Sequence, residues 1–222
     1  MQLAKPALDV GLYTNNLDEM LTFWQNQAHA TFTEMLPVGG GVRQHRHAVG
    51  NSVIKINHTR QPIAPGRPTG LSQVEIFTPS VQGPSPLTDP DDNKLCLSPP
   101  NARNTNLSLS LVTPNLSAQQ DFYGGTLGFK ELSPTSFAVG ASTVELVEGD
   151  LASFERAGLG YRYMTFQVFD VVSEHAYIVN HGGKEGMAPV RLGDVAYISF
   201  VLDHDRNWLE ISQRKSITGS LD

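Results

Sequence analysis

Residues 43–47, Arg-Gln-His-Arg-His, place two imidazoles two positions apart. In an extended strand, residues two apart share a face. Arg43, His45 and His47 therefore point one way, and Gln44 and Arg46 the other. Imidazole titrates near neutrality and is a common metal ligand. With Glu34 on the preceding strand, His45 and His47 could hold a metal or do acid–base work. A polar strand face or a subunit contact is the plainer reading of the same pattern.

The remaining reactive side chains offer less. Cys96 is the sole cysteine, so no internal disulfide forms, and in Lys-Leu-Cys-Leu it reads as a small core residue. His58, His175, His181 and His204 are read as ordinary, His181 at a helix C-terminus, where partial positive charge is favourable. Val38-Gly-Gly-Gly lacks the spacing and the following helix of a dinucleotide loop, and there is no phosphate loop. Gly140-Ala-Ser-Thr does not match a nucleophile elbow.

The bulk composition narrows the partners. Only 17% of the 222 residues are charged, the formal charge is -6, and no Lys/Arg run forms a phosphate-binding stripe. A nucleic-acid partner is not expected. No apolar stretch is long enough to span a membrane, and the N-terminal residues lack a signal peptide's apolar core. The default expectation is a soluble, cytoplasmic protein.

Positioning falls to alternating strands and short helices. Residues 8–13 read as a strand, followed by a helix over 17–26 that Asn15 or Asn16 can cap. Strands are expected over 30–36, 42–49 and 51–58. After a Pro/Gly-rich connector (59–70), strands 71–79 and 94–97 flank a turn-rich stretch (80–93), like a module that has lost its helix. Strand 106–113 restarts the pattern. Asn115 caps a helix that ends at Gly124-Gly125, and three short strands follow to residue 149. After a loop over 150–159 comes a last unit, with strand 161–169, a helix over 171–180 and closing strands. An internal repeat and a generic α+β domain with hairpins both satisfy this pattern.

Several segments carry a resemblance: 8–17, 107–116, Asp121-Phe-Tyr followed by Leu127-Gly-Phe, and the acidic turns Asp89-Pro-Asp-Asp-Asn and Asp203-His-Asp-Arg-Asn. In order and spacing the chain resembles the vicinal-oxygen-chelate superfamily of glyoxalases, bleomycin-resistance proteins and extradiol dioxygenases. The resemblance implies an α+β fold of paired βαβββ modules, forming open curved sheets around cavities. Two halves are expected, 1–100 as a degenerate module pair and 101–222 as a complete one. It also implies a divalent metal held by His and Glu on first and last strands, dioxygenase or lyase/isomerase chemistry, a small oxygenated or aromatic ligand, and a homodimer.

The matching positions in the second half are Ser108, Glu145, Tyr163 and Glu210, where serine and tyrosine replace the expected histidines. Strand parity adds Ser110, Thr165 and Gln167 to a polar inward wall. In the first half the positions are Asp9, Lys55, Gln73 and Cys96, with an ion pair expected between Asp9 and Lys55. No convincing metal set emerges. Three functions stay open: a superfamily enzyme with a degenerate metal site, a metal-free small-molecule binding or resistance protein, and a non-catalytic scaffold.

Overall fold

The computed structural model describes residues 1–64, 69–150 and 156–221. Parts of the expected connector 59–70 and loop 150–159 lie outside the described residues.

Strand β1 (Leu3–Thr14) is followed by helix α1 (Leu17–Thr22), which continues as a π-helical turn (Phe23–Gln27). Strands β2 (Thr31–Pro37), β3 (Arg43–Val49) and β4 (Ser52–His58) complete a βαβββ module. The second unit has only strands: β5 (Leu71–Phe77), β6 (Ser85–Thr88) and β7 (Lys94–Ser98). Strand β6 falls in the stretch read as turns. The third unit comprises β8 (Leu107–Thr113), α2 (Leu116–Gln120) with a π turn (Asp121–Thr126), β9 (Lys130–Ser133), β10 (Ser136–Val139) and β11 (Ser142–Glu148). The fourth comprises β12 (Gly160–Val168), α3 (Val171–Asn180), β13 (Lys184–Leu192), β14 (Ala196–Leu202) and β15 (Trp208–Arg214).

Helices α1 and α2, of the first and third modules, share a design. Each widens into a π turn closed by a backbone bond, Ala28 N to Phe23 O at 3.0 Å and Leu127 N to Phe122 O at 2.8 Å. Each turn buries an edge-to-face aromatic pair, Phe23–Trp24 and Phe122–Tyr123, with centroids 5.8 and 5.5 Å apart. The second helix does not stop at Gly124-Gly125 as expected. The missing Gly124 side chain lets the Phe137 ring approach, since a Cβ there would lie 3.1 Å from it. Asn115 caps as expected, accepting from Ala118 N at 3.1 Å. Neither Asn15 nor Asn16 does so for α1. Asn15 instead ties down the connector through Thr59, Gln61 and Ile63.

Two open sheets result. One has eight strands in the order β13-β14-β15-β12-β1-β4-β3-β2, the other seven in the order β6-β7-β5-β8-β11-β10-β9. The modules therefore pair first with fourth and second with third, across the division at residue 100. They do not pair within 1–100 and 101–222, as sequence order suggests. The seams are antiparallel, β1 with β12 and β5 with β8. Alternation then sorts the faces. Leu8, Val10 and Leu12, with Met164, Phe166 and Val168, join one buried apolar cluster with Met20, Trp24 and Ile178 from the helices. The opposite face of the larger sheet carries polar side chains into a concavity.

Candidate functional site

The eight-stranded sheet curves around a cavity of about 790 Å³. At its floor, Lys55 on β4 is 2% exposed. Its Nζ donates to Glu210 Oε2 and to Thr165 Oγ1, each at 2.7 Å. Thr165 in turn donates to the same glutamate oxygen at 2.8 Å. Burial alone would push the Glu210 pKa up. The Lys55 charge and the hydrogen bonds outweigh it and leave Glu210 held below its usual value. Burial lowers the Lys55 pKa, opposed by Glu210 and Asp9.

Register explains why Lys55 pairs with Glu210 and not, as expected, with Asp9. On β1 the residue beside Lys55 is Gly11, not Asp9. Asp9 instead takes Lys5 and the backbone of Val53, the latter at 2.8 Å. Gly11 is also required by the ring that crosses it. A Cβ there would sit 2.1 Å from Tyr163 Cζ. Tyr163 thereby reaches Asn57 Nδ2 at 3.0 Å and Gln44 Nε2 at 3.4 Å. Burial, with Glu210 and Tyr13 nearby, raises its pKa well above the ordinary tyrosine value, so it stays a neutral hydroxyl.

Above the floor the wall carries both cationic and apolar side chains. Arg46 and Arg214 share the Glu34 carboxylate, at 3.1 and 3.5 Å. The Arg156 guanidinium lies over Phe200 and Trp208, 4.8 and 5.1 Å from the ring centroids. Leu36, Val38, Met187, Val190, Leu192 and Ile198 provide apolar surface.

The expected site residues divide among three places. Asp9, Lys55, Tyr163, Thr165, Gln167 and Glu210 lie on the concave face of the larger sheet. Gln167 is buried beside Ser212, with neither amide atom bonded to a described residue. Ser108, Ser110 and Glu145 lie together on the smaller sheet, where Thr143 donates to Ser108 at 2.8 Å and Ser136 to Glu145 at 2.7 Å. His45 and His47 are on neither concavity. They face Phe32, and Gln25 Nε2 lies 3.2 Å from His47 Nε2. Glu34 is not their partner, because β2 sets it opposite Arg46 on the cavity face.

Sequence reasoning missed Gln44, Arg46, Asn57, Arg156 and Arg214. Parity was the available signal, because Gln44 and Arg46 alternate with the histidines. It also missed Glu75, which lies opposite Ser108 where Gln73 was expected and accepts from Ser98.

These residues do not fit a divalent metal. On the larger sheet an ammonium already holds the Glu210 carboxylate, and its charge would repel a second cation. On the smaller sheet Glu75 and Glu145 each accept from a serine. Among the described residues, no group of three His, Cys, Asp or Glu side chains could hold an ion.

Residues 107–211 match the family model described as Glyoxalase/Bleomycin resistance protein/Dioxygenase superfamily. No curated protein matches the chain by sequence. Among solved structures, a mutant glyoxalase I from Zea mays superposes with a TM-score of 0.77 at 14% identity, covering 100% of this chain and 95% of that one. Another glyoxalase I structure from Zea mays gives 0.71 at 14%, covering 99% and 96%. A Bacillus subtilis strain 168 protein provisionally named a dioxygenase gives 0.71 at 10%, covering 96% and 85%. At such identities the shared property is the fold. No helix among the described residues is long and apolar enough to cross a membrane.

Proposed function

We propose that this protein binds a small organic anion with an apolar or aromatic body, without a divalent metal, a reading supported by the match of residues 107–211 to the glyoxalase/bleomycin resistance protein/dioxygenase model and by the fold shared with glyoxalase I over the whole chain. The ligand sits in the cavity of the eight-stranded sheet. The observation that carries this reading is the cavity's charge. Among the described residues that line it, Arg46, Lys55, Arg156 and Arg214 are cationic and Glu210 alone is acidic, with Glu34 bridging Arg46 and Arg214 beside it, so cations outnumber carboxylates there in a chain of net charge -6. A partly enclosed positive surface beside an apolar wall suits a carboxylate on a hydrocarbon or aromatic frame.

The test is thermal unfolding of chelator-treated protein against a panel of small organic acids, with elemental analysis of the same sample. A ligand at a hundred times its Kd stabilises by about 2.7 kcal/mol, which is readily seen. The expected outcome is stabilisation by a subset of the acids in metal-free protein. Stabilisation only after a divalent metal is supplied would sink the metal-free reading and restore a superfamily enzyme.

A further inference from the structure

The polarity of the hydrogen bonds at the cavity floor can be followed from a residue that can only donate. Arg46 Nη1 donates to Gln44 Oε1 at 2.9 Å, which makes the other Gln44 atom the amide nitrogen. Gln44 Nε2 donates to Asn57 Oδ1 at 3.0 Å, so Asn57 Nδ2 is the donor at its own far end. The Leu12 carbonyl, 2.9 Å from Asn57 Nδ2, requires the same assignment. Both amides therefore donate to Tyr163 Oη and occupy its lone pairs. The tyrosine's own proton finds no acceptor among the described residues. Lys55 Nζ is in the same state. Two of its three protons go to Thr165 and Glu210, and the third has no acceptor among the described residues. The ammonium lies 5.6 Å from the Tyr163 ring centroid, and both residues line the cavity.

We propose that Lys55 Nζ and Tyr163 Oη form a two-donor seat for the ligand's carboxylate, the lysine ammonium supplying the positive charge that a divalent metal supplies in the superfamily resemblance. This rests on the anion-binding reading of the same cavity and narrows it to a carboxylate held end-on at the floor. The hydrocarbon part then points toward Met187, Val190 and Ile198.

Calorimetric titration of the full, chelator-treated chain tests it. The probes are monocarboxylates from acetate to 2-naphthoate, each beside its uncharged primary amide. The variants are Tyr163→Phe, which removes only the hydroxyl, and Lys55→Met combined with Glu210→Gln, which removes the charge without stranding its partner. Wild type should prefer the best carboxylate over its amide by at least about tenfold, as charge-assisted hydrogen bonds warrant. Tyr163→Phe should cut that preference several-fold, and the double variant should abolish it. A preference unchanged in Tyr163→Phe overturns the seat and leaves anion binding standing. Binding that needs added divalent metal overturns the seat as well. If no carboxylate binds wild type up to tens of millimolar, the seat and the anion-binding reading both fall. The single variant keeps the test decisive if the double variant does not fold.

Discussion

A side chain at Gly11 would meet the Tyr163 ring at 2.1 Å, so the hydroxyl's place at the cavity floor depends on the absence of one methyl group on the neighbouring strand. Gly11→Ala should push the ring off its Asn57 and Gln44 partners. Overpacking of this kind costs about 1–3 kcal/mol, and denaturant unfolding would measure it. Anion affinity should fall in the same variant. Unchanged affinity would show that Tyr163 needs no such placement. The Lys55–Glu210 pair makes a second prediction. Removing one partner strands a buried charge and costs about 3–5 kcal/mol, whereas replacing both with apolar groups of similar size is close to neutral. Lys55→Met alone should be severely destabilised, and Lys55→Met with Glu210→Leu much less so, in a double-mutant cycle of unfolding free energies. At this scale the sequence made Asp9, Lys55, Tyr163 and Glu210 legible through their positions. It did not give their partners. Which cation meets which carboxylate depends on register between strands far apart in the chain, and a shift of two residues exchanges Asp9 for Gly11 beside Lys55.

The acidic turns before β7 and β15 are the same element built twice. Asp89 Oδ1 accepts from the backbone of Asp91 and Asn93 at 3.0 and 2.9 Å, and Asp203 Oδ1 from Asp205 and Asn207 at 3.0 and 2.8 Å. The fourth residue of each turn has positive φ, Asp92 at 64° and Arg206 at 63°. Burial pushes both aspartates up to about 6, against these hydrogen bonds. Between the ordinary carboxylate value and about 6, the folded state holds more protons than the unfolded one. The stability from this source is therefore full at low pH and is lost as pH rises through about 6. A shift of two pKa units is worth about 3 kcal/mol per site. Asp203→Asn cannot titrate, so wild type should gain stability relative to it as pH falls from 7 to 4.5. A gap that does not vary with pH would show that the hydrogen bonds keep Asp203 ionised throughout. The turns were legible because their residues repeat at fixed spacing. The role of β3 was legible only in part. Alternation correctly split His45 and His47 from Gln44 and Arg46, but the strand's own pattern cannot say which face a helix covers. Phe32 and Gln25 sit on the histidine side, leaving Gln44 and Arg46 for the cavity.

Local periodicity sets where a strand runs, but the choice of its partner is a long-range one. Most of the strands could be read from the sequence, yet their grouping into sheets could not, and neither could the membership of the cavity. Its floor takes Tyr13 and Lys55 from the first hundred residues and Tyr163 and Glu210 from the rest. The hydrogen bonds that join them run along β1 and β12, and the smaller sheet is joined in the same way along β5 and β8. Cutting the chain at residue 100 would leave four of these strands as unpaired edges and expose one face of the shared apolar cluster. Separately expressed fragments 1–100 and 101–222 should therefore show no cooperative unfolding transition, and neither should bind an organic anion. Co-expression should restore both properties, because the seams are ordinary antiparallel ladders that need no covalent connection. If fragment 101–222 alone unfolded cooperatively near the melting temperature of the intact chain, the fourth module would not need β1. The cavity would then be an accessory to a self-sufficient C-terminal half rather than the product of two halves.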